Sequence, residues 1–213
     1  MKTIICFGDS NTFGYNPRTA GRFPEAIRWP RILQNELGDD YRVIEEGLNG
    51  RTTVFEDATE PGRSGIDYIR PCLMTNRPVD LVIVMLGTND LKQRYMLTSD
   101  DLRRAMYALI RQIQTTDFGP RYPVPEVLLV APPALRQGKV PDMRAAFQAE
   151  AEALSEQFGD LYREVAEARE CYFLNGDDVT ATGQTDGVHL EEEGHELLAE
   201  ALVDPVREIL ADK

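Results

Sequence analysis

The feature that most constrains this chain is the run Asp80-Leu81-Val82-Ile83-Val84-Met85-Leu86, apolar almost without interruption and broken at once by Gly87-Thr88-Asn89-Asp90. A strand wetted on one face alternates apolar and polar residues. One that is apolar throughout must be covered on both faces, as in a parallel sheet flanked by helices. Four other short runs repeat the pattern. Ile4-Ile5-Cys6-Phe7 ends at Gly8-Asp9-Ser10, and Tyr41-Arg42-Val43-Ile44 ends near Glu46-Gly47. Val127-Leu128-Leu129-Val130-Ala131 stops at Pro132-Pro133, and Glu170 to Leu174 is a shorter fifth. Five such runs separated by helical segments or loops predict an α/β fold with a parallel sheet and helices on both faces. The 213 residues suit one domain, with no repeat, low-complexity tract or linker to divide residues 1–213.

The helical expectations are specific. A helix from about Ala26 carries Trp29, Ile32, Leu33 and Leu37 on one face and stops at Gly38. Ile66 to Leu73 packs through Ile66, Ile69 and Leu73. Ser99-Asp100-Asp101 opens a helix through Leu102, Met106, Leu109, Ile110 and Ile113, with acids in the first turn to suit its dipole. Pro141 to Arg169 reads as a long charged helical pattern broken near Gly159. Leu190 begins a last helix, in which Pro205 forces a kink or a restart. Asn11 to Glu25, Thr52 to Pro78 and Pro132 to Asp142 are weakly patterned and are expected to shape the pocket.

Charge and cysteine usage narrow the function classes. With 36 acidic against 23 basic residues, the formal net charge is −13. That argues against binding nucleic acid or an anionic membrane surface and fits a neutral or cationic small substrate. Cys6, Cys72 and Cys171 form no Cys-x-x-Cys pair, and Cys6 and Cys171 read as small packed hydrophobes in a reducing compartment. Met1-Lys2-Thr3 leads into the first strand without a signal-peptide layout, and no apolar run approaches the roughly 20 residues that span a bilayer. The expectation is a soluble, cytoplasmic protein.

In a parallel sheet the carboxyl ends of the strands share one edge, where open α/β folds bind their ligands. Ser10 follows the first strand, Gly50 the second and Asn89 the third, and Asp186-Gly187-Val188-His189 precedes the last helix. Asp and Ser after a strand suit a helix cap as well as a nucleophile. A nucleophilic serine needs a base such as His189, and a carboxylate such as Asp186 fixes the tautomer of that base. The backbone N–H groups of Ser10 and Gly50 and the side-chain amide of Asn89 would serve a developing oxyanion. His195 has no such company and reads as structural. Glu191-Glu192-Glu193 beside the histidines suits a solvated helix start better than a metal site. Asp177-Asp178 and Glu56-Asp57 read as loop surface.

These blocks together resemble the SGNH (GDSL) hydrolases: Gly8-Asp9-Ser10, Gly50, Gly87-Thr88-Asn89-Asp90 and Asp186-x-x-His189, in family order and across the whole chain. The resemblance implies a three-layer flavodoxin-like fold with strand order 2-1-3-4-5, and serine esterase chemistry without metal or cofactor. It implies Ser10 as nucleophile, His189 as base and Asp186 as its orienting acid, with Gly50 and Asn89 completing the oxyanion hole and Asp9 holding the turn. Val43 to Leu48, Arg51-Thr52-Thr53, Asp80 to Ile83, Met85 to Asp90 and Arg28-Trp29 are similar to segments of the arylesterase/acyltransferase branch. That likeness implies hydrolysis of small activated esters, often acetates, some acyl transfer to alcohols, and a homo-oligomer. Phe13 and Tyr15, flanking Ser10 and candidates to line the substrate, stand where acyltransferase members resemble one another in carrying tryptophan. That departure leaves hydrolysis intact and weighs against efficient transfer. A carbohydrate O-deacetylase is the nearest rival, followed by a thioesterase or lysophospholipase. A flavodoxin-like binding module for a phosphorylated ligand is disfavoured, because no Gly-x-Gly-x-x-Gly or Walker-type loop follows a strand.

Overall fold

The structure is a computed structural model that describes residues 1–139 and 145–211. Five parallel strands form its sheet: β1 (Lys2–Gly8), β2 (Tyr41–Gly47), β3 (Leu81–Met85), β4 (Glu126–Ala131) and β5 (Tyr172–Asn175). Their spatial order is 2-1-3-4-5, as the resemblance implies. Register aligns the ends: Gly8 of β1 stands opposite Gly47 of β2 and opposite Met85 of β3. The loops leaving these three strands therefore emerge at one level on one edge.

The alternation of side chains splits each buried strand between two cores. Ile5, Phe7, Val82, Val84, Val127 and Leu129 face one side. They pack against α3 (Gly65–Asn76), α4 (Ser99–Gln114) and α6 (Phe158–Ala168). Ile4, Cys6, Leu81, Ile83, Met85, Leu128 and Val130 face the other, against α2 (Trp29–Leu37) and α7 (Glu192–Leu210). This double coverage explains why Leu81 to Met85 is apolar at every position: each of its side chains is at most 1% exposed. The described residues also form two short helices, α1 (Ser10–Phe13) and α5 (Ala151–Ser155). A two-residue ribbon pairs Tyr15–Asn16 with Gly21–Arg22.

Three helix expectations need correction. The helix expected from Ala26 begins at Trp29, after Arg28 in an extended conformation. Pro30 sets that limit, since it lacks an N–H and its ring would collide with the Ala26 carbonyl in a helix starting at Ala26. The break expected near Gly159 falls at Glu156 and Gln157, and Gly159 lies inside α6. Ser155 ends α5 by accepting the Leu135 N–H at 2.8 Å while donating to the Glu152 carbonyl at 2.7 Å. The start of that long pattern, at Pro141, lies outside the described residues. The last helix starts at Glu192 rather than Leu190 and runs through Pro205 without a restart. Val206, Ile209 and Leu210 are buried beyond the proline, and their packing offsets the one lost backbone hydrogen bond. Cys6 and Cys72 are buried and Cys171 half-buried, all as free thiols. Among the described residues no helix is long and apolar enough to cross a membrane.

One contact sets the position of α1 on the sheet edge. A Cβ at Gly47 would lie 2.1 Å from the Phe13 backbone nitrogen and 2.5 Å from the Thr12 carbonyl carbon. Only a residue without a side chain lets β2 and the turn after β1 come this close. Gly47→Ala is expected to lower unfolding stability by about 1–3 kcal/mol in urea titrations, through overpacking that shifts α1. Wild-type stability in Gly47→Ala would mean that α1 has room to move.

Candidate active site

Ser10 opens α1 immediately beyond β1. Asp9 caps that single turn, its Oδ1 accepting the Asn11 N–H at 2.9 Å, and Gly14 closes it in a left-handed conformation. Asp186 and His189 come from a tight loop ahead of α7. Asp186 Oδ1 accepts the N–H groups of Val188 and His189, each at 2.9 Å, which folds the loop onto its own carboxylate. The other oxygen lies 2.6 Å from His189 Nδ1, and His189 Nε2 lies 2.9 Å from Ser10 Oγ. A continuous hydrogen-bonded chain thus joins Asp186, His189 and Ser10, all at most 7% exposed. Burial alone would raise the Asp186 carboxyl. The His189 ring and the two backbone donors outweigh it and hold the carboxyl below its ordinary value. An ionised Asp186 keeps the proton on Nδ1 and leaves Nε2 free to accept from Ser10.

The three expected donors also meet. Ser10, Gly50 and Asn89 line the same cavity, of about 330 Å³, with Tyr15, Val188 and His189 on its wall. Among the described residues the N–H groups of Ser10 and Gly50 donate to no protein acceptor. Gly50 has a φ of 79°, in the left-handed region that glycine adopts without strain. Asn89 Nδ2 donates to Asp9 Oδ2 at 3.3 Å and to the Arg51 carbonyl at 3.2 Å, long contacts that fix the amide's direction. Such a set can activate a hydroxyl and stabilise a tetrahedral oxyanion. The Tyr15 ring centroid lies 4.5 Å from that of His189. Phe13 lies outside the cavity, its ring covered by the Arg22 guanidinium at 4.4 Å. His195 is buried behind, where its Nδ1 accepts the Trp29 N–H at 3.4 Å and the Phe23 ring meets it edge-on. Its ring is driven down to about 3, chiefly by burial, so it packs as a neutral group. A larger groove, about 880 Å³, runs behind the Asp186 loop past Asp177, Thr182 and Glu191, but Ser10, Asp186 and His189 do not line it.

The side chains that support these groups escape a reading of the sequence. Asn11 clamps the His189 loop: its Oδ1 accepts the Leu190 N–H at 2.8 Å and its Nδ2 donates to the Val188 carbonyl at 3.3 Å. Its place next to Ser10 was the available signal. Arg51 is buried between the rings of Phe7 and Tyr68 and donates to the Gly8 and Glu46 carbonyls, tying the ends of β1 and β2. Asp90 is wholly buried beneath Asn89 and accepts from the backbone N–H and the hydroxyl of Thr53. Asp57, expected on the loop surface, is buried instead. It accepts from Arg94 and from the Thr59 hydroxyl, fastening the segment that carries Glu60 and Arg63. Its ion pair is what makes the burial tolerable. No group of three or more metal-ligating side chains occurs among the described residues.

Comparison with known proteins gives a consistent picture. The profile of the GDSL-like Lipase/Acylhydrolase family matches residues 6–197. No curated protein matches the chain. Among solved structures, the native Mycobacterium smegmatis aryl esterase is 38% identical, with a TM-score of 0.94 over 99% of this chain and 100% of that one. A carbohydrate acetylesterase from Sinorhizobium meliloti is 34% identical, also with a TM-score of 0.94, over 99% and 100%. A lipase/acylhydrolase from Enterococcus faecalis shares the fold at 21% identity and a TM-score of 0.68, over 98% and 96%.

The floor of the site carries a pH signature. Burial first, then the neighbouring Asp9, pushes Asp90 from the ordinary 3.8 up to about 7, against the Thr53 hydrogen bonds that pull it down. Between those values the native state holds a proton that the unfolded chain has released. This contribution to stability is therefore full below pH 3.8, declines as pH rises and is gone above about pH 7. In urea titrations across that window, the stability of wild type minus that of Asp90→Asn is expected to fall by on the order of 1 kcal/mol per pH unit, then level off. A difference that stays constant from pH 4 to 7 would contradict the protonated Asp90.

Proposed function

We propose, for a chain that belongs to the GDSL-like lipase/acylhydrolase family and is therefore a carboxylic ester hydrolase, that Ser10 is the nucleophile, His189 the general base and Asp186 its orienting acid, acting on small acyl esters. The observation that carries this reading is the unbroken chain from Asp186 through His189 to Ser10, at 2.6 and 2.9 Å. His189 Nε2 takes the Ser10 hydroxyl proton as Oγ bonds to the ester carbonyl carbon. The carbonyl electrons move onto oxygen, which receives hydrogen bonds from the Ser10 and Gly50 N–H groups and from Asn89 Nδ2, which gives up one of its two long contacts to do so. His189 then returns the proton to the leaving alkoxide oxygen as the carbon–oxygen bond breaks, giving a free alcohol and an acyl-Ser10. A water molecule, deprotonated by His189, attacks that acyl group. Collapse of the second tetrahedral intermediate releases the acid, and Ser10 regains its proton. An alcohol in place of water would turn the second half into acyl transfer. No step requires a cofactor.

Substrate size follows from the cavity. About 330 Å³ is at the small end of ligand pockets and suits acetyl or other short acyl groups. We assign Tyr15 to the substrate wall. Phe13, outside the cavity, would act only by supporting α1. The likeness to a carbohydrate acetylesterase favours acetylated sugars as a second substrate class on the same catalytic groups.

Hydrolysis of p-nitrophenyl esters from acetate to octanoate tests both points. Wild-type kcat/KM is expected to fall steeply with acyl length. Ser10→Ala and His189→Ala are each expected to lose at least ~10⁴-fold with the fold retained by circular dichroism, and Asp186→Asn a comparable factor. Ester turnover at the wild-type rate by Ser10→Ala would overturn the assignment. A preference for octanoate would keep the mechanism and move the substrate toward lipids.

A further inference from the structure

The wall of the cavity has a charge balance opposite to that of the whole chain. The protein carries a formal −13, yet three cations, Arg63, Lys92 and Arg94, line the space beside Ser10 against one acid, Glu60. Pairing accounts for two of them. Arg63 Nε stands 3.4 Å from Glu60 Oε2, and Arg94 reaches the buried Asp57 and, at 2.8 Å, the Thr59 hydroxyl. Lys92 is left over, since among the described residues no carboxylate oxygen comes within 4.0 Å of its ammonium. Its backbone is fixed: the N–H donates to the Asn89 carbonyl at 3.3 Å, and residue 92 pairs with Phe147 across an antiparallel bridge. Lys92 is half-buried, and burial lowers its ammonium below the ordinary value. Glu60 and Asp57 act on this ammonium only from beyond contact distance, so a partly desolvated cation on this wall gains from an incoming anion.

The geometry also says which end of an ester the anion would occupy. The leaving oxygen must come within proton-transfer reach of His189 Nε2, so the alcohol lies toward His189 and the loop before α7. Lys92 follows the Asn89 oxyanion donor and leads toward α4, on the opposite face of the sheet from α7. We propose, on the reading of Ser10 as nucleophile, that the preferred substrate is an ester whose acyl group ends in a carboxylate, as in a hemiester of a short dicarboxylic acid, and that Lys92 holds that carboxylate between Arg63 and Arg94. Hydrolysis adds one water, releasing the alcohol and a free dicarboxylate.

The test compares phenyl hemiglutarate with phenyl valerate, equal in acyl length, and 4-acetoxybenzoate with phenyl acetate, where the carboxylate sits on the alcohol. Wild type is expected to favour hemiglutarate over valerate by roughly ten-fold in kcat/KM at low salt, mostly through KM, with the ratio shrinking as salt screens the pair. Lys92→Met is expected to bring that ratio to about one, and Lys92→Arg to preserve it. The acetoxybenzoate ratio is expected to stay the same in all three proteins. A hemiglutarate ratio unchanged in Lys92→Met overturns the proposal, as does a Lys92-dependent preference for acetoxybenzoate. Phenyl acetate separates the two levels. If wild type and Ser10→Ala hydrolyse it equally, the nucleophile assignment falls and this proposal with it. Ser10-dependent turnover with no hemiglutarate preference removes the anion site alone.

Discussion

Everything at the candidate site depends on the side-chain amide of Asn11. Ser10 belongs to the first strand's turn and His189 to a loop 179 positions later, so their 2.9 Å contact has to be imposed by something other than local chain geometry. Asn11 imposes it by using both ends of its amide, one accepting from Leu190 and the other donating to Val188. The residues on either side of His189 are thereby fixed to the residue next to Ser10. An aspartate could accept but not donate, and an alanine would leave a buried N–H and a buried carbonyl unpaired, at about 1–3 kcal/mol each. The contact works only because α1 is itself immobile, pressed on Gly47 and capped by Asp9.

Beneath this frame lies an electrostatic layer that meets the cavity through Asn89. Asp9, pushed up to about 6 chiefly by burial, and Asp90, at about 7, face Asn89 and Thr53 from below. Arg51, sandwiched between two rings, ties the ends of two strands through their carbonyls. The acids and the arginine sit close enough to moderate one another, and Asn89 is oriented by an acid on one side and a backbone carbonyl on the other. The neutral amide remains the only group of this layer presented to the cavity. Above it, three cations against one acid line the cavity beside Ser10, opposite in sign to the protein's overall charge.

The strands were legible because parallel strands covered on both faces carry an unmistakable apolar signal, and Leu81 to Met85 carries it without interruption. Their ends were legible too, since glycine and proline mark them, and from the ends came the convergence of Ser10, Gly50 and Asn89. Helix boundaries were less so. The Trp29 start depends on Pro30 acting in the first turn, and the survival of α7 through Pro205 depends on tertiary packing that no local pattern encodes. The supporting side chains were hidden for a different reason. Asn11, Asp57 and Asp90 are polar residues in polar stretches, and nothing in their immediate sequence separates a solvated turn from a buried clamp. Net charge does not describe the cavity wall, because Arg63, Lys92 and Arg94 come from two separate loops and their cluster exists only in three dimensions.

If the chain from Asp186 through His189 makes Ser10 a nucleophile, an acyl-enzyme is the most direct trace of it. Rapid acid quench of the protein with p-nitrophenyl acetate, followed by peptide mass spectrometry, is the measurement. The expected result is the mass of one acetyl group on the peptide containing Ser10, formed at a rate at least equal to steady-state turnover and absent in Ser10→Ala. Acetyl on another residue at that rate, with Ser10 unmodified, would contradict a nucleophilic Ser10.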